Sequence, residues 1–290
     1  MATARCTWTA VSGVDGYNVY LKSNGTFVKQ NSELITGTVY DIDNLEDGNY
    51  EAYATSVLND VESDASNVKG FEVSAADPYA PVHGNEFTWG GFTYKVIVQD
   101  YGGGNTLAWL DRNLGASQVA TSKTDSDSYG HLYQWGRLTD GHQIRTSGTT
   151  ETLSTTDEPG HGDFILSSGD WRDPQNNNLW QGVDGINNPV PPGWRLPTEA
   201  EWATERGSWN TQNPDGAFGS PLKLPMAGRR LRDTGALADV ADRGLYWSAT
   251  VSGDFARASG FRQANNDAGE SSWWRAQGNS VRCVRDMGAS

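Results

Sequence analysis

The stretch Pro192-Gly193-Trp194-Arg195-Leu196-Pro197-Thr198-Glu199-Ala200-Glu201-Trp202 decides how the larger part of this chain is interpreted. Thr198 and Glu201 form the S/T-x-x-E pattern of a capping box, which predicts a helix that begins after Thr198 and ends near Gly207. Two tryptophans lie within the stretch, and large aromatic side chains can anchor a core that is poor in aliphatic residues. We therefore expect a short helix held against an aromatic core.

Five further phrases of this kind precede and follow the stretch, at residues 109–115, 129–137, 222–228, 246–250 and 280–286. Their tryptophans are expected to stack in the core, and their arginines to bind carbonyl or carboxylate oxygens beneath irregular loops. The residues concerned are Trp109, Trp135, Trp194, Trp202 and Trp247, together with Arg112, Arg195 and Arg282. Apolar spacing predicts a second helix over 126–136, whereas 137–195 shows no period and predicts long loops.

A stretch of small residues and prolines, 74–81, is the clearest domain boundary in the sequence. We expect a first domain over 1–74, a linker over 75–84 and a second domain over 85–290. After the linker, two alternating apolar runs flank Gly90-Gly91 and predict a β-hairpin. A further strand is expected around Trp109.

The first domain alternates apolar and polar residues in short runs that are separated by turn signals. Apolar positions recur with period two within 6–10, 17–21 and 50–54, which predicts antiparallel strands with one buried face. The segment 45–50, which ends at Tyr50, is typical of the corner that leads into a central strand of a β-sandwich. In this order the motifs resemble a fibronectin type III domain, an Ig-like all-β sandwich that would serve as a spacer.

Composition excludes several classes of function. The 290 residues include 36 acidic and 22 basic side chains, and a net charge of -14 repels nucleic-acid phosphates, so no nucleic-acid partner is expected. No apolar run reaches the roughly 18 residues that a membrane span needs. No secretion signal follows Met1, which leaves open a start inside a longer protein. The 2 cysteines, Cys6 and Cys283, are too few for a disulfide scaffold or a structural zinc site.

From residue 109 to residue 286, the six phrases resemble the Fibrobacter succinogenes major-paralogous-domain family. This resemblance implies an α+β, C-type-lectin-like second domain with two helices and long irregular loops. The family is distantly related to the formylglycine-generating enzymes, which use a pair of active-site cysteines. Here Cys6 belongs to the other domain, and Cys283 is expected to be buried in a strand and inert. The prediction is therefore a protein without enzymatic activity.

The segment 246–286 is similar to the variable region of diversity-generating retroelement variable proteins, including those of archaeal viruses. In such systems a reverse transcriptase rewrites the end of the gene by mutating template adenines. The resemblance implies a diversified ligand-binding surface, and Trp273-Trp274 followed by Arg275 are residue types of binding hot spots. Strand alternation would turn one tryptophan to the core and the other to solvent. The predicted binding residues are Asp254, Phe255, Ala258, Gly260, Arg262, Asn265, Asp267, Gly269, Ser271, Ser272, Trp273, Trp274 and Gln277.

The implied partner is a protein or glycan on a host or neighbouring cell surface, and the implied location is a virion or the cell exterior. A non-diversified surface adhesin or carbohydrate-binding module of the same fold is the alternative, and a formylglycine-generating type of enzyme is a third. No cofactor is expected. Calcium stays open, because the Asp- and Asn-rich loops 170–178 and 184–188 supply hard oxygen ligands, although such residues also serve turns.

Overall fold

The computed structural model describes residues 2–23, 25–73 and 77–287. The chain divides into two compact units, Met1–Asp77 and Pro78–Ser290. Residues 75 and 76 of the predicted linker lie outside the described residues. Both units are rich in β-structure, and the described part of the chain contains two α-helices.

The first unit consists of short strands, as its period-two patterning predicts. They are β1 (Ala2–Thr7), β2 (Gly16–Lys22), β3 (Phe27–Lys29), β4 (Val39–Leu45), β5 (Gly48–Leu58), β6 (Val61–Glu62) and β7 (Lys69–Val73). β1 pairs with β4, while β2 and β5 form the centre of a second sheet that also contains β3, β6 and β7. Residues of both sheets, among them Val19, Ile42 and Tyr50, share one hydrophobic core.

The second unit combines strands, two helices and long loops. Its elements are β8 (Glu86–Trp89), β9 (Phe92–Asp100), β10 (Thr106–Leu110), β11 (Tyr133–Gln134), β12 (Thr149–Thr150), β13 (Phe164–Ile165), α1 (Glu199–Gly207), α2 (Pro214–Gly219), β14 (Arg229–Arg230), β15 (Leu237–Ala238), β16 (Arg243–Ser252), β17 (Phe255–Arg262), β18 (Asp267–Trp274), β19 (Gly278–Asn279) and β20 (Val284–Asp286). The predicted hairpin is confirmed as β8 and β9, and the predicted strand near Trp109 as β10.

The sheets of this unit are small and separate. One runs β20-β10-β9-β8, a second β11-β19-β14-β15 and a third β16-β17-β18, while β12 and β13 form a parallel pair. Two aromatic cores lie between them, one around Trp135 and Trp247 and the other around Trp109 and Trp202. All five tryptophans that the sequence assigns to the core are at most 1% exposed, so that prediction is confirmed.

The three predicted arginine forks also bind oxygen atoms. Arg282 is buried and donates to the carbonyls of Leu110 and Leu222 and to the side-chain oxygen of Asn113. Arg195 donates hydrogen bonds to both carboxylate oxygens of Glu201, at 2.8 and 2.5 Å. Arg112 donates to the carboxylate of Asp111 and to a loop carbonyl. These forks satisfy polar atoms that irregular loops leave without regular backbone partners.

One of the two predicted helices is correct and the other is wrong. α1 begins after Thr198 with the predicted capping box and ends at Gly207. Instead of a helix over 126–136, the structure has one 3-10 turn at Ser126–Ser128 followed by irregular chain and β11. The backbone N–H groups of His131 and Leu132 donate to the remote carbonyls of Leu114 and Gln143, so tertiary bonds replace the helical ones.

Candidate ligand-binding site

The three-stranded sheet of β16, β17 and β18 carries the predicted binding residues. β17 and β18 form a hairpin in full register from Phe255 opposite Trp274 to Arg262 opposite Asp267. Because side chains alternate along a strand, cross-strand pairs divide between two faces. One face, which includes Phe261 and Ala268, packs with α1 into the Trp202 core.

The opposite face is only partly covered. The part of this face that includes Trp247 and Ala258 packs into the Trp135 core. The rest of the face leaves an open depression of about 280 Å³, which we call the Trp273 depression. Its walls and floor include Arg243, Leu245, Gly260, Arg262, Gly269 and Trp273. Two glycines opposite one another in the sheet create the space, because neither contributes a side chain.

Trp273 forms one wall of this depression and is half-buried. The guanidinium carbons of Arg229 and Arg243 lie 4.9 and 5.8 Å from the centroid of its ring, within the range of cation–π attraction. The indole N–H donates to the hydroxyl of Ser271 at 2.7 Å. The ring is thus fixed in place before any partner arrives, which lowers the entropy that binding would cost.

The charges around Trp273 are unequally paired. Asp239 accepts from Nε of Arg229 at 2.7 Å, and Asp242 accepts from Nε of Arg262 at 2.7 Å. The bond from Arg262 lowers the pKa of the Asp242 carboxyl, so this pair stays ionised. For Arg243 the nearest carboxylate oxygen, on Asp239, is 3.9 Å away. Burial lowers the pKa of the Arg243 guanidinium, and the positive charges of Arg262 and Arg229 act in the same direction.

Trp274 faces a different surface. Its ring lies 4.1 Å from that of Phe255, and the guanidinium carbon of Arg232 lies 5.2 Å from its centroid. It borders a second open depression of about 260 Å³, the Trp274 depression, whose lining includes Asp170, Asp173, Gln175 and Asp254. Burial raises the pKa of the Asp170 carboxyl.

The structure therefore divides the predicted residues into groups. Those that line the Trp273 depression are Gly260, Arg262, Asn265, Asp267, Gly269, Ser271 and Trp273. Asp254 and Trp274 line the other depression, with Phe255 stacked on Trp274. Ser272 is exposed on the α1 side, where its hydroxyl accepts from Arg257. Both tryptophans are half-buried and lie on opposite faces of β18. Trp273 packs against the Trp135 core and Trp274 borders the second depression, so the expected division into one core and one solvent residue holds in part.

Three predicted contact residues are corrected by their burial. Ala258 is packed in the core, and Gln277 is buried with its side-chain amide donating to the carbonyl of Arg230. Gly260 is buried as well, and a Cβ there would meet Leu245 Cδ2 at 2.8 Å. Because their side chains are buried, Ala258 and Gln277 offer no side chain to a partner, and Gly260 acts only by leaving space.

Sequence reasoning missed the arginines that surround Trp273. Arg229 precedes the variable segment by many residues and reaches the site through the pairing of β14 with β19. Arg243 opens β16 just before the segment and pairs with Arg262 across the sheet. The only local signal was the density of arginine in 229–232, which is unusual in a chain of net charge -14.

The loops considered for calcium use their polar groups internally. The side-chain amide of Asn187 donates to the carbonyls of Gly136 and Asp157, and Asn177 accepts from Arg275. Over residues 2–23, 25–73 and 77–287, no group of three or more His, Cys, Asp or Glu side chains is placed to hold a metal ion. Cys283, the third hypothesis's candidate nucleophile, is fully buried, and burial raises the pKa of its thiol.

A scan against protein families finds no match, and no curated protein is significantly similar to this chain. Within the described residues, no helix is both long and apolar enough to cross a membrane.

Proposed function

We propose that this chain is a non-enzymatic binding protein whose second unit, a C-type-lectin-like scaffold, displays a ligand-binding surface on β17 and β18. The observation that carries the proposal is the Trp273 depression, which opens to solvent and is lined by Arg243, Arg262 and the indole of Trp273. Arginine side chains hold that indole in place. Aromatic and arginine side chains at the centre of a concave patch are typical of binding hot spots. Burial of one tryptophan contributes a few kcal/mol, about as much as separates a partner from a non-partner.

We further propose that the surface is diversified, as in the variable protein of a diversity-generating retroelement, and serves attachment to a virion's host or to another cell. The distribution of burial supports this. The bracketing phrases 246–249 and 281–284 are buried, whereas Gln263, Asn265 and Asp267 at the hairpin end are exposed. Substitution at exposed positions rarely affects stability by more than about 0.5 kcal/mol. A fixed scaffold with freely variable side chains is therefore physically feasible here.

The proposed architecture of the first unit is the fibronectin type III or Ig-like spacer. Its two sheets share one core, and the hydroxyl of Tyr50 donates to the carbonyl of Glu46 at 3.0 Å. A tyrosine that bonds back to the chain just before its strand is a recurrent feature of such sandwiches. In the second unit, short helices and long loops around buried tryptophans support the C-type-lectin-like assignment.

Sequencing the 3′ end of this gene across the population that carries it tests diversification. We expect substitutions to concentrate at codons for exposed positions between 251 and 279 and to follow template adenines. The buried positions Ala258 and Gln277 should stay constant, which gives an internal control. A uniform segment, or substitutions spread equally over buried and exposed codons, would contradict the diversified form of the proposal.

Binding itself is tested with parallel arrays of surface proteins and glycans. The intact chain is compared with Trp273→Ala and Trp274→Ala, which lie on opposite faces of the same strand and so serve as controls for one another. We expect Trp273→Ala to abolish the signal. Equal binding by all three proteins would place the site elsewhere.

The second candidate is a fixed carbohydrate-binding module or adhesin, and the Trp274 depression favours it. There Trp274 stands beside the carboxylates of Asp170, Asp173 and Asp254, which can accept hydrogen bonds from sugar hydroxyls. If this function is correct, a glycan should be bound by Trp273→Ala and lost in Trp274→Ala.

A further inference from the structure

The guanidinium of Arg243 lacks a close partner. Its side chain is only 17% exposed, and the nearest carboxylate oxygen, that of Asp239, lies 3.9 Å away and already accepts from Arg229. Among the described residues, no atom accepts a hydrogen bond from this guanidinium. Arg262 differs, because Asp242 holds it at 2.7 Å. Three guanidinium groups thus share the two carboxylates of Asp239 and Asp242. Asp267 and Glu270 also line the depression, where Glu270 is paired with Arg206 at 2.5 Å.

A guanidinium that is largely withdrawn from water and has no hydrogen-bonded carboxylate can bind an anion by donating hydrogen bonds to it. Removal from water costs free energy that hydrogen bonds to a charged acceptor return, and a planar carboxylate fits the guanidinium fork with two parallel bonds. Arg243 borders the Trp273 depression, so such an acceptor can reach it from solvent. The floor beside it is Leu245 and the two glycines, which suits a short apolar stem.

We infer that the Trp273 depression binds the side-chain carboxylate of a glutamate or aspartate on a protein partner, and that Arg243 donates the hydrogen bonds that hold this carboxylate. This inference rests on the proposed binding function. The carboxylate would bind the Arg243 fork, and its methylene groups would lie on Leu245 and against the edge of Trp273. Ser271 and Asn265 stand at the border, where they can bind backbone atoms of the partner.

An acidic sugar carries the same carboxylate, but the ring geometry favours a protein side chain. Sugar recognition by tryptophan uses an open aromatic face, and the guanidinium groups of Arg229 and Arg243 already lie over the Trp273 ring. The net charge of -14 repels acidic partners only at long range. At physiological ionic strength this field decays over about 8 Å, so close contact is decided by the groups that line the depression, among which Arg243 is the guanidinium that no described carboxylate holds by a hydrogen bond.

Titration of the intact chain with N-acetyl-glutamate amide, followed by the indole N–H resonance of Trp273, tests the inference directly. The matched neutral probe is N-acetyl-glutamine amide, and glucuronate and inorganic phosphate represent the other anions. We expect a saturable shift with the glutamate probe and none with the glutamine probe. Equal shifts with both probes, no shift with the glutamate probe, or a stronger response to glucuronate or phosphate would overturn the inference.

Variants locate the effect at Arg243. Arg243→Gln should weaken binding of the glutamate probe by about tenfold or more. Arg5→Gln, an exposed arginine in the first unit, removes the same charge and should change nothing. If Arg243→Gln does not fold, Gly269→Tyr provides the test, because position 269 is open and its side chain would fill the depression while leaving Arg243 in place.

Selection from a phage-displayed random peptide library separates this inference from the proposed function. Enrichment of Asp and Glu in peptides that bind the wild-type chain but not Arg243→Gln supports both. Peptides that require Trp273 but carry no acidic preference would overturn the carboxylate while leaving the binding surface intact. Absence of any peptide that depends on Trp273 would count against both.

Discussion

Two glycines that face each other in the β17–β18 hairpin differ in what they tolerate. A Cβ at Gly269 would meet no atom within 4 Å, whereas one at Gly260 would meet the buried Leu245 at 2.8 Å. We therefore expect Gly269→Ala to change the free energy of unfolding by less than about 0.5 kcal/mol and Gly260→Ala to lower it by about 1–3 kcal/mol. Urea unfolding of the two variants measures both values. Equal destabilisation would show that the floor of the depression is not packed as described.

A single buried histidine should make stability depend on pH. Nε2 of His142 accepts from the backbone N–H of Gln134, and Nδ1 lies 2.5 Å from Asp140, so the neutral ring satisfies both contacts. Burial lowers the pKa of His142 to about 4, with Arg137 and Arg230 acting in the same direction. Between pH 6.5 and 4, His142 is protonated in the unfolded chain and stays neutral in the folded chain.

The free energy of unfolding should accordingly fall by about 3 kcal/mol as the pH drops through this range. His142→Asn should flatten the slope, and a smaller slope should remain because burial also lowers the pKa of His131 and hydrogen bonds from arginine lower the pKa of the carboxyls of Glu201 and Asp242. Unfolding measured at several pH values gives the slopes of both proteins. An unchanged slope in the variant would mean that His142 is not the titrating group.

At the scale of one element, α1 depends on its cap. The hydroxyl of Thr198 accepts from the backbone N–H of Glu201 at 3.2 Å, and the carboxylate of Glu201 accepts from the backbone N–H of Thr198. Thr198→Ala should lower the free energy of unfolding by about 1 kcal/mol. Thr204→Ala, the same substitution within the helix, should be neutral or stabilising because alanine has the higher helix propensity. Thermal unfolding distinguishes the two, and a loss in Thr204→Ala alone would refute the capping argument.

The two short helices show where sequence reasoning succeeds. The capping box of α1 is a local signal, since Thr198 and Glu201 act on each other, and it could be predicted. α2 was missed although Asn213 caps it and Pro214 opens it, because six residues are too few for a period to be visible. The predicted helix over 126–136 was wrong because Gly130 and Gly136 adopt positive φ of 65° and 86° to fit remote chain.

In the candidate site, too, local features could be predicted from the sequence and features set by tertiary contacts could not. Trp273 and Trp274 could be singled out because two adjacent tryptophans in a hydrophilic segment are visible in the sequence. Which face each occupies depends on the register of β17 with β18. The position of Arg229 depends on the pairing of β14 with β19, a contact between segments remote in the sequence. Such pairings are set by tertiary packing, which no local pattern encodes.

At the scale of the whole molecule, the division into two units should be visible as two unfolding events. The first unit has its own core around Val19 and Tyr50, and the second has the two tryptophan cores. Of the 12 tryptophans only Trp8 belongs to the first unit, so tryptophan fluorescence reports almost entirely on the second. Separate cores unfold as separate cooperative units when few contacts cross between them.

Tyr50→Phe provides the discriminating change, because it removes only the hydroxyl that donates to the carbonyl of Glu46. We expect this variant to lose about 1–2 kcal/mol in the calorimetric transition of the first unit, since the carbonyl loses its partner. The fluorescence transition of the second unit should keep its midpoint. The matched control, Tyr53→Phe, changes a half-buried side chain on the other face of the same strand and should leave both transitions within about 0.5 kcal/mol. A shift of the fluorescence midpoint in Tyr50→Phe would mean that the two units unfold as one.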